Sequence, residues 1–314
     1  MTDTKIASGT PLVIAAHGTR DESGVAECRA LAERVANKLP DVPVELGFVE
    51  LAEPKIPEAV QAAVAQAPGV SEEPTEGEQP VAAVVVPLMF NTGGHVREDI
   101  PEAIDEGRGD ARVTYSAPLL PDVRMRKALD RRLAETLAAG EGREQWRARD
   151  TAVVLVGRGA LVADANASHY TLTRMFWEEN DLARVEPAFI QVTRPSVPEA
   201  LTALHAQGAQ QIVVQGNFLF PGLLHVWMTE QVQAWQASHP GVEIRVAPVI
   251  GDCDEVAEVV VDRYREPLDE VGLGEGAPVY MSGLRLQGRT VLVVGAGHVA
   301  ERRVARLLLS LIHI

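Results

Sequence analysis

Two histidines and one glutamate lie where a ligand-binding edge is expected. His17 directly follows the apolar segment 12–16, Glu50 ends the segment VELGFVE, and His95 follows a third apolar segment in MFNTGGHVRED. Two imidazoles and a carboxylate form a ligand set suited to a first-row divalent metal, and neutral imidazoles also accept protons near neutral pH. These residue types therefore predict metal chemistry coupled to proton transfer.

The elements that must position these residues alternate between strands and helices. In GVAECRALAERVANKL, for example, Cys28, Leu31, Val35 and Leu39 mark one face of a helix. Such alternation predicts parallel sheets covered by helices, with ligands bound beyond the carboxyl ends of the strands. The predicted strands are 11–16, 44–51, 81–90, 111–119, 152–157, 184–192, 211–220 and 243–251.

The chain also contains an internal repeat. VELGFVELAEPKIPEAV at 44–60 aligns with VEPAFIQVTRPSVPEAL at 185–201, a shift of 141 residues. Further along, MFNTGGHV aligns with LFPGLLHV at a shift of 130 residues. The difference between the two shifts falls in the Pro/Gly/Glu-rich segment 66–80, which is predicted as a surface loop of the first copy alone. We therefore predict an α/β fold of two similar parallel-sheet lobes that face a cleft.

The second copy provides a comparison within the chain. If the three polar residues served only the scaffold, both copies would be expected to keep them. Instead, two of the three change to types that do not bind metal cations, which favours a functional role for the first set. His17 aligns with Arg158, Glu50 with Gln191, and His95 with His225.

Several of these segments resemble one enzyme family. HGT after the first strand, FVELAEP and GGHV are similar to the sirohydrochlorin chelatases, class II chelatases that insert a divalent metal into a tetrapyrrole. VGRGALVADANASHY and FIQVTRPSVPEAL resemble the second half of their long, internally duplicated members, and the resemblance covers about residues 10–265. It implies a role in sirohaem or cobalamin synthesis, with His17 and His95 as metal-binding and catalytic residues and Glu50 as a third participant. The metal substrate would be Co²⁺ or Fe²⁺, and the residues do not decide between iron, cobalt and nickel.

A tetrapyrrole polycarboxylate requires local cations in a chain whose formal net charge is −15. That overall charge argues against a nucleic-acid or membrane-surface binder. The basic segment DVRMRKALDRR at 122–132 is interpreted as a solvated helix face rather than a substrate clamp. The residues expected to bind substrate carboxylates are Arg20, Arg97, Arg158 and Arg194.

Composition further limits the class of protein. No apolar run reaches the roughly 18 residues of a membrane helix, and the first residues do not resemble a signal peptide. Two cysteines, Cys28 and Cys253, are too few for a disulfide framework or a cysteine-rich metal site. These features predict a cytoplasmic protein, and the internal duplication predicts a monomer.

The last residues carry a separate motif. VLVVGAGHVA places Gly295, Gly297 and Ala300 at the spacing of a dinucleotide-binding turn between a strand and a helix. LRLQGRTVLVVGAGHVA resembles the start of precorrin-2 dehydrogenase, which implies NAD as its cofactor. The acidic ribose-binding residue expected about 20 residues later is not reached. We therefore expect an incomplete site here, with NAD bound only by a longer chain.

These observations predict a particular domain organisation. A first lobe carries the metal site and a second lobe is a degenerate repeat of it. A linker then leads into a truncated Rossmann βα unit. The predicted bounds are 1–148, 149–267, 268–288 and 289–314.

Two other functions are compatible with part of the pattern. A non-catalytic metal or tetrapyrrole carrier could use the same histidines and glutamate, and only turnover would distinguish it from a chelatase. The sequence gives little support to a third hypothesis, a serine hydrolase that uses the HG turn as an oxyanion site, because no G-x-S-x-G nucleophile motif occurs.

Overall fold

The computed structural model describes residues 9–68, 80–90, 94–120, 122–139 and 145–271. The first lobe is built from strands and helices in strict alternation. Its elements are β1 (Leu12–Ala16), α1 (Glu22–Lys38), β2 (Val44–Phe48), α2 (Ile56–Ala65), β3 (Val81–Pro87), α3 (Ile100–Arg108), β4 (Arg112–Tyr115) and α4 (Val123–Ala138).

The second lobe repeats this order. Its last helix is described as far as Val271, beyond the predicted start of the linker at residue 268. Its elements are β5 (Ala152–Gly157), α5 (Ala163–Glu179), β6 (Arg184–Phe189), α6 (Val197–Ala206), β7 (Gln211–Gly216), α7 (Leu223–Ala237), β8 (Glu243–Val246) and α8 (Asp254–Val271). Residues 289–314, with Gly295, Gly297 and Ala300, lie outside the described residues.

Each lobe has a four-stranded parallel sheet. The strand orders are β2-β1-β3-β4 and β6-β5-β7-β8. The register is repeated as well, since Ala16 pairs with Phe48 in one sheet and Gly157 pairs with Phe189 in the other. The predicted fold of two duplicated parallel α/β lobes is therefore confirmed.

The repeated sequence PEA has a local structural reason. In both lobes a proline stands in the first turn of the second helix, where its missing N–H costs no hydrogen bond. In the second lobe the helix is capped reciprocally, because the backbone N–H of Ser196 donates to Glu199 Oε2 at 2.7 Å. The repeat thus encodes the start of α2 and α6.

Several strands end earlier than the sequence predicts. The apolar segment 44–51 is a strand only as far as Phe48, because the backbone N–H of Phe48 donates to the carbonyl of Pro54 at 2.9 Å. The chain therefore loops back on itself at the carboxyl edge of the sheet. The second lobe does the same, since the N–H of Phe189 donates to the carbonyl of Pro195 at 2.8 Å.

The two lobes exchange their last helices. Helix α4 packs on the second lobe, where Gln215 Nε2 donates to the carbonyl of Leu129 at 2.8 Å. Arg126 forms a two-point ion pair with Glu179 of α5, and Arg132 donates to the carbonyl of Ile250 at 2.9 Å. The interpretation of segment 122–132 as a solvated helix face is therefore wrong for these arginines, which join the lobes.

Helix α8 makes the reciprocal contacts with the first lobe. Ser116 Oγ donates to the carbonyl of Arg263 at 2.6 Å, and Tyr264 Oη donates to the carbonyl of Thr10 at 2.7 Å. The crossed helices hold the two sheets as one unit, so that their carboxyl edges have a fixed relative position. Among the described helices, none is long and apolar enough to cross a bilayer.

Candidate active site

The structure brings His17 and His95 together. His17 directly follows β1, and His95 begins a single π-helical turn (His95–Asp99) after β3. Because β1 and β3 are neighbouring parallel strands, both side chains lie at the same edge of the sheet. Their ring centroids are 4.5 Å apart and their ring planes meet at 82°. A single ion could contact both imidazoles.

A tight backbone turn holds His17 beside Glu50. The N–H of Glu50 donates to the carbonyl of His17 at 3.1 Å. Gly18 has a φ of 93°, and a Cβ built there would lie 1.8 Å from the carbonyl oxygen of Glu50. Only glycine accommodates both the positive φ and this close approach, which accounts for the HG pair in the sequence.

Glu50 is near His17 through its backbone, and its side chain is exposed. Among the residues that the structure describes, no three His, Cys, Asp or Glu side chains are placed to hold one metal ion. The predicted three-ligand set is therefore not assembled, whereas the two imidazoles are. Closed four-ligand sites retain a metal permanently, so a two-imidazole site suits an ion that must leave.

The contacts of the two rings indicate which nitrogens are available. His95 Nδ1 lies 2.5 Å from Asp99 Oδ2, and His17 Nδ1 lies 3.2 Å from the carbonyl oxygen of Gly18. Carbonyl and carboxylate oxygens only accept hydrogen bonds, so the proton of each neutral ring is on Nδ1. Each Nε2 then carries the lone pair that binds a cation or accepts a proton.

The corresponding edge of the second lobe lacks this arrangement. His225 Nδ1 is buried without a hydrogen-bond partner, and burial lowers the pKa of His225. Arg158 and Gln191 occupy the positions that His17 and Glu50 have in the first lobe. Among the described residues, this half-buried imidazole is therefore not part of a group of metal-ligating side chains.

The four predicted substrate-binding arginines are all exposed, and they differ in their partners. Arg194 forms an ion pair with Glu199 at 2.9 Å and is thus partly neutralised. Among the described residues, Arg20, Arg97 and Arg158 form no ion pair. These three cations are available for carboxylates of a ligand.

The carboxyl edge of the second lobe also exposes apolar side chains, which we call the apolar rim. Leu161 is 94% exposed and Leu223 is 67% exposed, values that are unusual for leucine. Four of the five aligned positions of the first lobe are polar or small, with Arg20 in place of Leu161 and Arg97 in place of Trp227. The fifth is Leu51, which aligns with Val192 and is 44% exposed. The apolar rim consists of Leu161, Val162, Val192, Leu223 and Trp227.

Sequence analysis missed the apolar rim, although its signal was present. The alignment of AAHGTRDES with VGRGALVAD replaces three charged residues by apolar ones shortly after the HG and RG turns. Apolar residues at a strand end are usually assigned to the core. Here they are exposed, and exposed apolar side chains at the ligand-binding edge of a sheet suit contact with an apolar ligand surface.

The edges of the two lobes approach each other at their loops. A Cβ built on Gly222, before α7, would lie 3.7 Å from Thr19 Oγ1, which follows the HG turn. A Cβ on Gly24 of α1 would lie 2.5 Å from the carbonyl oxygen of Pro221. The loop that carries His17 is therefore held against the loop that begins the apolar rim's helix α7.

Comparison with known proteins relates this arrangement to a family. The model of the CbiX family matches residues 11–136 and 152–267. The sirohydrochlorin cobaltochelatase of Priestia megaterium is 30% identical over 81% of this chain and 78% of its own length. The sirohydrochlorin ferrochelatase of Bacillus subtilis (strain 168) is 28% identical over 80% of this chain and 88% of its own length.

Solved structures share the fold. SirB from Bacillus subtilis with Fe³⁺ superposes with a TM-score of 0.68 at 24% identity, over 84% of this chain and 97% of that one. The sirohydrochlorin chelatase SirB from Bacillus subtilis subspecies spizizenii, in complex with cobalt, gives a TM-score of 0.62 at 23% identity, over 83% and 96% of the two chains. With matches in both lobes and a relative at 30% identity, this chain belongs to the CbiX family.

Proposed function

We propose that this protein is a sirohydrochlorin chelatase, which inserts Co²⁺ or Fe²⁺ into the tetrapyrrole with release of two pyrrole protons. The pairing of His17 and His95, whose ring centroids are 4.5 Å apart, carries this proposal, because two adjacent imidazoles with free Nε2 atoms suit both steps. The family relatives named as cobaltochelatase and ferrochelatase support it.

The chemistry assigned to each residue follows from its nitrogen or oxygen atoms. His17 and His95 would bind a partly dehydrated metal ion through Nε2 and accept pyrrole protons as the metal leaves. Glu50 would stabilise an imidazolium formed in this transfer rather than complete a preassembled metal site. The weak two-nitrogen site allows the ion to pass to the four nitrogens of the macrocycle.

The substrate proposal rests on two surfaces of different character. The unpaired arginines Arg20, Arg97 and Arg158 would bind peripheral carboxylates, and Arg194 would contribute less because it already pairs with Glu199. The apolar rim would contact one face of the macrocycle. A large planar polycarboxylate would use both the arginines and the apolar rim, whereas a free metal ion would use neither surface.

The decisive experiment is an anaerobic insertion assay with sirohydrochlorin in large excess over protein. Loss of the metal-free absorption spectrum would be followed with Fe²⁺, Co²⁺ and Ni²⁺, each against a reaction without protein. Repeated turnover is the expected result. Metallation that stops at one equivalent per protein would favour the alternative of a metal or tetrapyrrole carrier.

Substrate binding by the arginines gives a separate prediction. Arg158→Ala should raise the KM for sirohydrochlorin by up to about fivefold with kcat nearly unchanged, because an exposed charge pair contributes about 0.2–1 kcal/mol. Arg194→Ala is the matched control and should change KM less. Raising salt from about 0.05 to 0.5 M should raise the KM of the unmodified protein, because exposed charges are screened beyond about 10 Å at 0.1 M.

Two results would contradict this assignment of the arginines. One is a KM that does not depend on salt. The other is an Arg194→Ala variant with a larger increase in KM than Arg158→Ala, which would place the carboxylate contacts at the end of β6 instead.

We further propose that the protein acts as a cytoplasmic monomer, since its two lobes provide both edges of the site and its two cysteines are free thiols. We also propose, from the sequence motif alone, that residues 289–314 belong to a dinucleotide-binding unit. The family match ends at residue 267, before this segment.

A further inference from the structure

Asp99 contacts the imidazole ring of His95. Its Oδ2 lies 2.5 Å from His95 Nδ1, and the two residues begin and end the same π-helical turn. Asp99 is exposed and forms no other ion pair with the described residues. Its carboxylate therefore has one evident partner, the imidazole ring.

This contact decides which nitrogen of His95 is free. An ionised carboxylate only accepts hydrogen bonds, so it favours the neutral tautomer that has its proton on Nδ1. The lone pair is then on Nε2, the other side of the ring. The same hydrogen bond fixes the ring orientation, and a histidine that binds metal commonly donates its second nitrogen to such a carboxylate.

The second lobe serves as an internal comparison. His225 aligns with His95, and at the same shift Thr229 aligns with Asp99. Thr229 Oγ1 donates to the backbone carbonyl of His225 at 2.9 Å rather than to its ring. Among the described residues, His225 Nδ1 has no hydrogen-bond partner. The carboxylate is thus present only in the lobe whose histidine faces a second imidazole.

We infer that Asp99 is a positioning residue for the insertion reaction, which holds His95 with Nε2 free toward the metal ion. The inference rests on the proposed function of His95. The alternative is a local structural role, in which the contact between Asp99 and His95 only stabilises the turn before α3. Substitution of the neighbouring Glu98 separates the two, because Glu98 is an exposed carboxylate on the same turn that does not contact the ring.

The first test needs neither metal nor substrate. Nitrogen NMR of the metal-free protein, labelled in its histidines and kept mildly alkaline, reports the tautomer of His95, whose signals are assigned by their loss in His95→Ala. The unmodified protein and Glu98→Ala should show the proton on Nδ1. Asp99→Ala should shift the population toward the Nε2 tautomer, which water favours, and Asp99→Asn should retain Nδ1–H because its amide oxygen still accepts.

The second test is kinetic. Asp99→Ala should raise the KM for Co²⁺ by about 10- to 100-fold with little change in the KM for sirohydrochlorin. Asp99→Asn should recover part of that loss, and Glu98→Ala should match the unmodified protein. An equal loss in Glu98→Ala and Asp99→Ala, or an unchanged tautomer in Asp99→Ala, would overturn the inference in favour of the local role.

The His95→Ala variant distinguishes failure of this inference from failure of the proposed function. If His95→Ala is inactive while Asp99→Ala behaves as the unmodified protein, the proposed role of His95 in insertion stands and the positioning role of Asp99 is overturned. If His95→Ala retains full insertion activity, the proposed site is wrong and the inference about Asp99 is overturned with it.

Discussion

His95→Ala should lower kcat for metal insertion by about 10²–10⁴-fold, the range expected when a positioned proton-transfer group is removed. The loss should be this large because the ring both binds the ion and accepts a proton, and because His17 alone cannot hold the ion at the same point. His17→Ala should have a comparable effect. The measurement is anaerobic insertion of Co²⁺ into sirohydrochlorin, with thermal unfolding of each variant to verify the fold.

Two further variants provide a comparison for the loss of kcat in His95→Ala. Glu50→Gln should reduce kcat by a smaller factor, because its side chain belongs to no preformed ligand group. His225→Ala is the matched control, since it removes the aligned imidazole of the second lobe and should be milder. A loss in His225→Ala that exceeds the loss in His95→Ala, with both proteins folded, would move the reaction centre to the second lobe.

The fold was predictable because its signals are local. Short, valine-rich apolar runs such as VAAVVVP favour buried strands over helices. A proline and a glutamate at the start of α2 and α6 indicate where those helices begin. The repeat then implied that both lobes share one topology. Strand ends were less predictable, since the backbone turn that stops β2 at Phe48 depends on a contact with Pro54.

The exchange of α4 and α8 could not be inferred in the same way. An amphipathic helix shows which of its faces is buried and gives no information about which of two similar sheets covers that face. Segment 122–132 illustrates the problem, because its arginines suggested a solvated face. In the structure Arg126 and Arg132 instead reach the second lobe.

Position at the strand ends predicted which side chains come together at the site better than residue type did. His17 and His95 were expected to meet because neighbouring parallel strands place their carboxyl ends at one edge. The Glu50 side chain follows the same rule in sequence, yet within the described part of the chain it joins no group of three metal ligands. What the structure places beside His17 is the backbone of Glu50, at the turn of Gly18. The role of Asp99 required coordinates, because the π-helical turn that brings it onto the ring has no sequence signature.

Gly18→Ala should be the most damaging substitution outside the histidines. An alanine at φ 93° costs about 1–2 kcal/mol in backbone strain alone. Its Cβ would also lie 1.8 Å from the carbonyl oxygen of Glu50, so that the turn between His17 and Glu50 must open. We expect the free energy of unfolding to fall by more than about 2 kcal/mol and insertion activity to be largely lost in the protein that still folds.

Alanine substitutions at two other glycines distinguish the effects of backbone strain, of steric clash and of the position of His17. Gly208→Ala places alanine at φ 90° with no atom within 4 Å of the new Cβ, so it should show the strain alone. Gly159→Ala repeats the clash in the second lobe, with Gln191 O at 2.0 Å, and should destabilise as much as Gly18→Ala while leaving the paired histidines in place. Chemical denaturation and insertion kinetics of the three variants provide the comparison. A Gly18→Ala protein as stable as Gly208→Ala and fully active would show that the Glu50 loop moves aside without cost, and that the HG turn does not position His17.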